Sequence, residues 1–139
     1  MTRFLLDSGV VNDYIAQRNG VRERARAELL RGNRIGTAIP ILAELAAGIE
    51  LSKSRDDNMK ALQLATKALT LWPFDEAAAY EYGRVYAELQ RIGRPIQKFD
   101  ILLAAVALSL GNAVVVTKDS DLSAVPKLKV ENWTVASQT

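Results

Sequence analysis

Ala113-Val114-Val115-Val116-Thr117-Lys118-Asp119-Ser120-Asp121 is the stretch on which the fold turns. Three β-branched valines in succession, without polar alternation, mark a strand buried on both faces. Strands of that kind belong to parallel sheets covered by helices on either side. The apolar run stops at a polar loop that carries two acids, Asp119 and Asp121. Immediately upstream, Gly111-Asn112 ends the most apolar segment of the chain, read as a helix over Ile101 to Leu110 with Asp100 at its start. Before that, Asp75 caps a long helix running to about Arg91, which Gly93 and Pro95 end.

The same alternation extends to the N-terminus. Phe4 to Leu6 reads as a short buried strand ending at Asp7-Ser8-Gly9, followed by a helix from about Val10 to Ala16. Asn19-Gly20 breaks the chain before an arginine-rich amphipathic helix, Val21 to Leu30. Ile35 to Ile39 is a second strand, and Pro40 opens a helix to about Ser52. Asp56-Asp57 open another helix to about Ala68, and Leu69 to Phe74 forms a third strand. Leu128 to Val130 reads as a last, edge strand. Strands alternating with helices predict an α/β fold: one domain over 1–139, with a central parallel sheet flanked by helices on both faces. In such sheets ligands bind beyond the carboxyl ends of the strands, so function is sought just after each one.

The composition narrows the chemistry. The 139 residues suit one domain, and 49% hydrophobic with 24% charged residues is ordinary globular usage. There is no cysteine and no histidine. That removes structural zinc, thiol nucleophiles, disulfides, Ser-His-Asp triads and histidine acid–base nucleases. An enzyme made from this chain works with carboxylates, hydroxyls, lysines or arginines. Carboxylates without histidine favour hard cations such as Mg²⁺ or Mn²⁺. No apolar stretch is long enough to span a membrane, and the N-terminus lacks a secretory pattern, so the expected compartment is the cytoplasm. The net charge of +2 understates the basic surface if several acids gather round a metal, a distribution that suits a polyanion.

Each acid has an ordinary role beside the interesting one. Asp7 and Asp100 stand where helix N-caps stand, and Asp119 and Asp121 lie in a turn sequence. Glu44 is different: its helical neighbours at three and four residues are Pro40, Ile41, Ala47 and Gly48, none able to form an ion pair with it. A carboxylate in such surroundings either reaches water or needs a partner. Asp7, Glu44 and Asp100, with Asp119 or Asp121, would form a one- or two-metal phosphodiesterase site if the fold brings them together.

The same residues carry a family resemblance. Phe4-Leu5-Leu6-Asp7-Ser8 resembles an opening Leu-Leu-Asp-Thr/Ser motif. Thr37 through Ala43 to Glu44-Leu45, with Gly48, resembles a helix bearing Glu-Leu-x-x-Gly. Gly93-Arg94-Pro95-Ile96 followed by Asp100 and Ile101 to Ala105 resembles a third motif. Val114 to Thr117, the Asp119/Asp121 loop, Val125-Pro126 and Val130-Glu131-Asn132-Trp133 resemble the closing segment. In order and spacing this is similar to the VapC-type PIN-domain toxins over nearly the whole chain. The resemblance implies a PIN-like three-layer α/β fold and a Mg²⁺- or Mn²⁺-dependent endoribonuclease cutting tRNA or rRNA. It also implies a homodimer and a VapB-like antitoxin. It assigns Asp7, Glu44, Asp100 and Asp121 as catalytic and metal-binding, with Asp119 the alternative fourth acid. Gly9, Leu122 and Leu103 depart from the usual Asn, Phe and Ile, and none of these changes removes a carboxylate.

Most of the lysines and arginines, including Arg22, Arg24, Arg26, Arg31 and Arg34, read as solvated surface. Arg94, Lys98 and Lys118 adjoin the acids and are the expected phosphate contacts, with Ser8 and Thr117 as further substrate-binding residues. No run of aromatics offers a stacking platform, and Trp72 and Trp133 are expected to pack. Two rival readings fit the same residues. One is a PIN nuclease of RNA processing or decay without an antitoxin. The other is a non-enzymatic helical binding protein whose acids are only caps.

Overall fold

A computed structural model describes residues 1–134; the last five residues of the expected 1–139 domain lie outside the described residues. Five strands form one sheet: β1 (Arg3–Leu6), β2 (Arg34–Ala38), β3 (Thr70–Trp72), β4 (Ala113–Val116) and β5 (Lys129–Glu131). Six helices connect them: α1 (Ser8–Ala16), α2 (Val21–Leu30), α3 (Ile39–Glu50), α4 (Arg55–Ala68), α5 (Glu76–Arg91) and α6 (Lys98–Leu110). A single 3-10 turn, Ser120–Ala124, lies between β4 and β5. Every strand pair is parallel, in the order β3-β2-β1-β4-β5. Right-handed crossovers put the helices of the β1–β2 and β2–β3 connections on one face and those of the β3–β4 connection on the other. The sheet is thus covered on both sides, as the unbroken valines of β4 require.

Phe4, Leu5 and Leu6 of β1, the three valines of β4 and Leu103 to Ala107 of α6 are all buried. The α6 helix is apolar on every side because α5, α3, β4 and β2 all contact it. Trp72 and Trp133 pack as expected; the Trp133 ring lies 5.3 Å from that of Phe4. Gly36 in β2 is required by close approach, since a Cβ there would lie 1.8 Å from the Thr70 carbonyl oxygen.

Some boundaries move for local reasons. β3 is shorter than the expected Leu69–Phe74 run because it is an edge strand and Pro73 has no N–H to give to a ladder. α1 starts at Ser8 rather than Val10, directly after its cap, Asp7. α6 starts at Lys98, so Asp100 lies inside the first turn and not at the cap.

The strand order reverses between β1 and β4: the chain leaves β1 toward β2 and leaves β4 toward β5. Connections that part in opposite directions leave a crevice at the carboxyl ends of those two strands, the usual ligand position in open α/β sheets.

Candidate active site

Strand register delivers the first acid. Leu6 pairs with Val116, so the next residues, Asp7 and Thr117, leave the sheet side by side. The Asp7 N–H donates to the Val116 carbonyl at 3.0 Å. Asp7 Oδ1 accepts from the Val10 N–H at 2.9 Å, which caps α1, while Oδ2 accepts from the Thr117 hydroxyl. Capping and placement at the crevice are therefore the same fact. Burial pushes the Asp7 carboxyl above its usual range, opposed by the Thr117 and Val10 hydrogen bonds and the charge of Lys118. Thr117 is only 2% exposed, and its hydroxyl serves Asp7 and accepts from the Asp119 N–H at 3.0 Å.

Glu44 arrives from α3, which contacts α6. Its Oε2 accepts from Gln97 Nε2 at 3.2 Å. Its Oε1 is buried and has no hydrogen-bond partner among the described residues. A carboxylate oxygen in that state is costly and calls for a charge not supplied by the chain. Gln97 also reaches the neighbouring acid: its Oε1 accepts from the Asp100 N–H at 3.2 Å and caps α6. This corrects the reading of Asp100 as the cap. With Gln97 in that role, the Asp100 carboxylate is free of the helix terminus.

Asp100 shows how the acids relate. Its carboxyl is pushed up to about 6, first by burial and then by the like charges of Asp7, Glu44, Asp119 and Asp121. All the acids expected at the site therefore lie within electrostatic reach of one group. Asp119 Oδ1 accepts from the Asp121 N–H at 2.9 Å and caps the 3-10 turn. Asp121 faces Arg94 Nη2 at 3.8 Å. Asp119 raises both Asp7 and Asp100, and Asp121 raises Asp100.

As the side chains lie, no three acids among the described residues stand close enough to hold a metal ion together. The expected convergence is one of neighbourhood, short of coordination distance. Like charges without a cation repel, and Asp7, Glu44, Asp119 and Asp121 each turn to a nearby donor instead. The donor chemistry nevertheless fits a hard divalent cation: oxygen atoms alone, one of them buried and unpaired among the described residues, beside a carboxyl raised by burial and by like charge.

Asp13, which the sequence reading passed over, holds the site's other wall. It is 1% exposed and faces Lys118 Nζ at 2.9 Å, Asn19 Nδ2 at 3.0 Å and Arg18 Nε at 3.3 Å. Burial alone would raise its carboxyl, but Asn19, Lys118 and Arg18 outweigh it and hold it below the usual range. Lys118, expected to meet phosphate, has its ammonium on Asp13 and pins the β4 loop to α1. The available signal was helical spacing: Asp13 follows Val10 by three residues, on the buried face of α1.

Ser8 opens α1 beside Asp7 and lines a cleft with Glu44. Arg94 and Lys98 are exposed at the α5–α6 junction. Several arginines farther away are structural rather than merely solvated. Arg22 donates to the Tyr14 and Ile15 carbonyls, and Arg24 and Arg31 pair with buried Glu28.

Comparison with known proteins agrees with this fold. The PIN domain family model matches residues 4–128. The tRNA(fMet)-specific endonuclease VapC of Shigella flexneri is 28% identical over 133 residues, covering 96% of this chain and 99% of the relative. Among solved structures, VapBC2 from Rickettsia felis bound to a promoter DNA fragment superposes with a TM-score of 0.88 at 25% identity, covering 95% of this chain and 99% of the other. DNA-bound VapBC from Salmonella typhimurium gives 0.87 at 29% identity, covering 96% and 99%.

Proposed function

The chain belongs to the PIN-domain family, and from that premise we propose that it is an endoribonuclease that hydrolyses RNA phosphodiester bonds at the Asp7–Glu44–Asp100 cleft. We assign it as the toxin of a toxin–antitoxin pair, held inactive by a VapB-like antitoxin. The similarity to VapC ribonucleases over nearly the full chain, and to structures of VapBC assemblies, supports both parts. The observation that carries the catalytic reading is the buried Oε1 of Glu44, unpaired among the described residues, beside an Asp100 raised first by burial and then by four neighbouring acids.

Asp7, Glu44 and Asp100 would hold a divalent cation, Mg²⁺ or Mn²⁺, with Asp121 or Asp119 as the fourth acid. Such a cation supplies the positive charge that polarises a scissile phosphate and activates water. The chain's own residues do the rest. The Thr117 hydroxyl and the Val10 N–H fix both oxygens of Asp7. Gln97 orients Glu44 and caps the start of α6, so that the Asp100 carboxylate is not needed as the cap. Arg94 and Lys98 at the rim attract the RNA backbone, which gives affinity and not sequence choice. Expressing wild type and Asp100→Asn in a bacterium and mapping new RNA 5′ ends tests this. Growth arrest and discrete new ends are expected with wild type alone; equal effects from both proteins would remove catalysis from this cleft.

A further inference from the structure

A cleft of ≈ 330 Å³ opens beside Glu44 between α1, α3 and α4, lined by Ser8, Asn12, Gly48, Ile49, Ser52 and Asn58 among others. Its polar groups are neutral apart from Glu44 itself. Ser52 Oγ donates to the Ile49 carbonyl at 2.7 Å and accepts from Asn58 Nδ2 at 3.2 Å, which leaves Asn58 Oδ1 without a partner among the described residues. The Asn12 amide and the Ser8 hydroxyl make no side-chain hydrogen bond among the described residues.

Gly48 lines the cleft at an exposed position. It lies inside α3, one turn beyond Glu44 on the same face. A glycine there costs about 1 kcal/mol against alanine. Neither backbone nor packing explains it: Gly48 is not among the residues with positive φ, and a Cβ would meet nothing within 4 Å. The missing side chain leaves open space, and that space adjoins the carboxylate.

We propose that this cleft receives one unstacked nucleobase of the RNA, next to the phosphate being cut. The inference rests on the nuclease reading above and adds a specificity site to it. The cleft is at the small end of ligand sites, which run from about 300 to 1,000 Å³, a size that suits a single nucleotide unit. Ile49 and Gly48 offer an apolar face to a flat ring. Asn12 and Asn58 offer paired donor and acceptor atoms to a base edge, the group asparagine is shaped to read. Single-stranded bases are recognised by this kind of edge contact. No aromatic ring lines the cleft, so selection comes from the edge and not from stacking.

The test uses a pool of short single-stranded RNAs of random sequence, with cut ends sequenced, and the variants Asn12→Ala and Gly48→Leu. Wild type is expected to show one position, fixed relative to the cut, with a skewed base. Asn12→Ala is expected to flatten that skew about tenfold, and Gly48→Leu, which fills the cleft, to abolish it, while Mn²⁺ affinity by calorimetry stays unchanged. An undiminished skew in both variants overturns the base site; if Gly48→Leu instead weakens capture of an antitoxin, the cleft belongs to a protein partner and the proposal also fails. A second readout does not need cleavage. In Asp100→Asn protein, one of the four nucleoside 5′-monophosphates is expected to shift the Asn12 side-chain amide resonances, and none to do so once Gly48→Leu is added. No shift with any of them overturns the base site. A shift in a protein whose wild type cuts no RNA would show that the nuclease reading has failed and the binding site has not.

Discussion

Asp7 and Glu44 both lie within electrostatic reach of Asp100 but are held in different ways. Around Asp7, two central strands fix the backbone, Thr117 and Val10 take both carboxylate oxygens, and buried Asp13 ties Lys118 and its loop to α1. Around Glu44, one exposed glutamine holds one oxygen, and the other has no hydrogen-bond partner among the described residues. The wall built on β1 and β4 is assembled by folding. The wall built on α3 and α6 is left unfinished, and on the function proposed above a bound cation would complete it. Binding free energy of a cation is therefore expected to go mainly into ordering Glu44 and Asp100.

The contrast can be broken at its weak wall first. Glu44→Gln keeps the shape and removes the charge; RNA cleavage under single-turnover conditions is expected to fall more than about 100-fold, beyond the roughly 10–100-fold cost of losing a supporting partner. Its fold is expected to survive, as checked by circular dichroism. At the strong wall the effect should be on stability instead. Asp13→Ala strands Lys118 and Asn19 against α1 and is expected to cost about 2–3 kcal/mol in urea unfolding, below the full cost of breaking a buried pair because Lys118 is partly exposed. If Asp13→Ala leaves stability unchanged, the two walls are not distinct in the way described.

Gln97→Ala sharpens the comparison from the other side. It removes a surface hydrogen bond and a cap, so the stability loss should be about 1 kcal/mol. Mn²⁺ affinity, however, should fall about tenfold, because Glu44 loses its orienting partner. The smallest effect is in pH. The Asp100 carboxyl titrates near 6 in the fold against an ordinary 3.8, so between those values the folded state holds more protons than the unfolded one. Its destabilising contribution is complete above pH 6 and fades as pH falls toward 3.8. Full conversion of that shift would give about 3 kcal/mol, and solvent screening of a half-exposed group reduces it to about 1 kcal/mol. Metal-free wild type should therefore melt a few degrees higher at pH 5 than at pH 7, and Asp100→Asn should lose that part of the slope. Asp13, lowered in the fold, works the opposite way and offsets the gain only at the acid end.

The strands, the parallel sheet and the unusual setting of Glu44 were legible because they depend on local pattern. Unbroken valines announce a doubly buried strand, and Glu44 stands out because no helical neighbour can pair with it. The supports of the acids were not legible. Thr117 meets Asp7 across 110 residues, and Gln97 meets Glu44 across 53. Contacts at such separations come from sheet order and helix docking, which spacing along the chain does not encode. Asp100 was misplaced as a cap for a related reason: a glutamine three residues earlier can reach back to its N–H, and propensity ranks aspartate ahead of glutamine for that role. Asp13 was the one support with a local signal, an acid in register with the buried Val10.

Cleavage of RNA by purified wild type and Asp100→Asn, side by side with Mg²⁺ and with a chelator, tests the central claim most directly. Cutting by wild type alone, stopped by the chelator and restored by Mg²⁺ or Mn²⁺, is the predicted result. Equal cutting by both proteins, or cutting that the chelator leaves intact, would contradict a metal-dependent nuclease at this cleft.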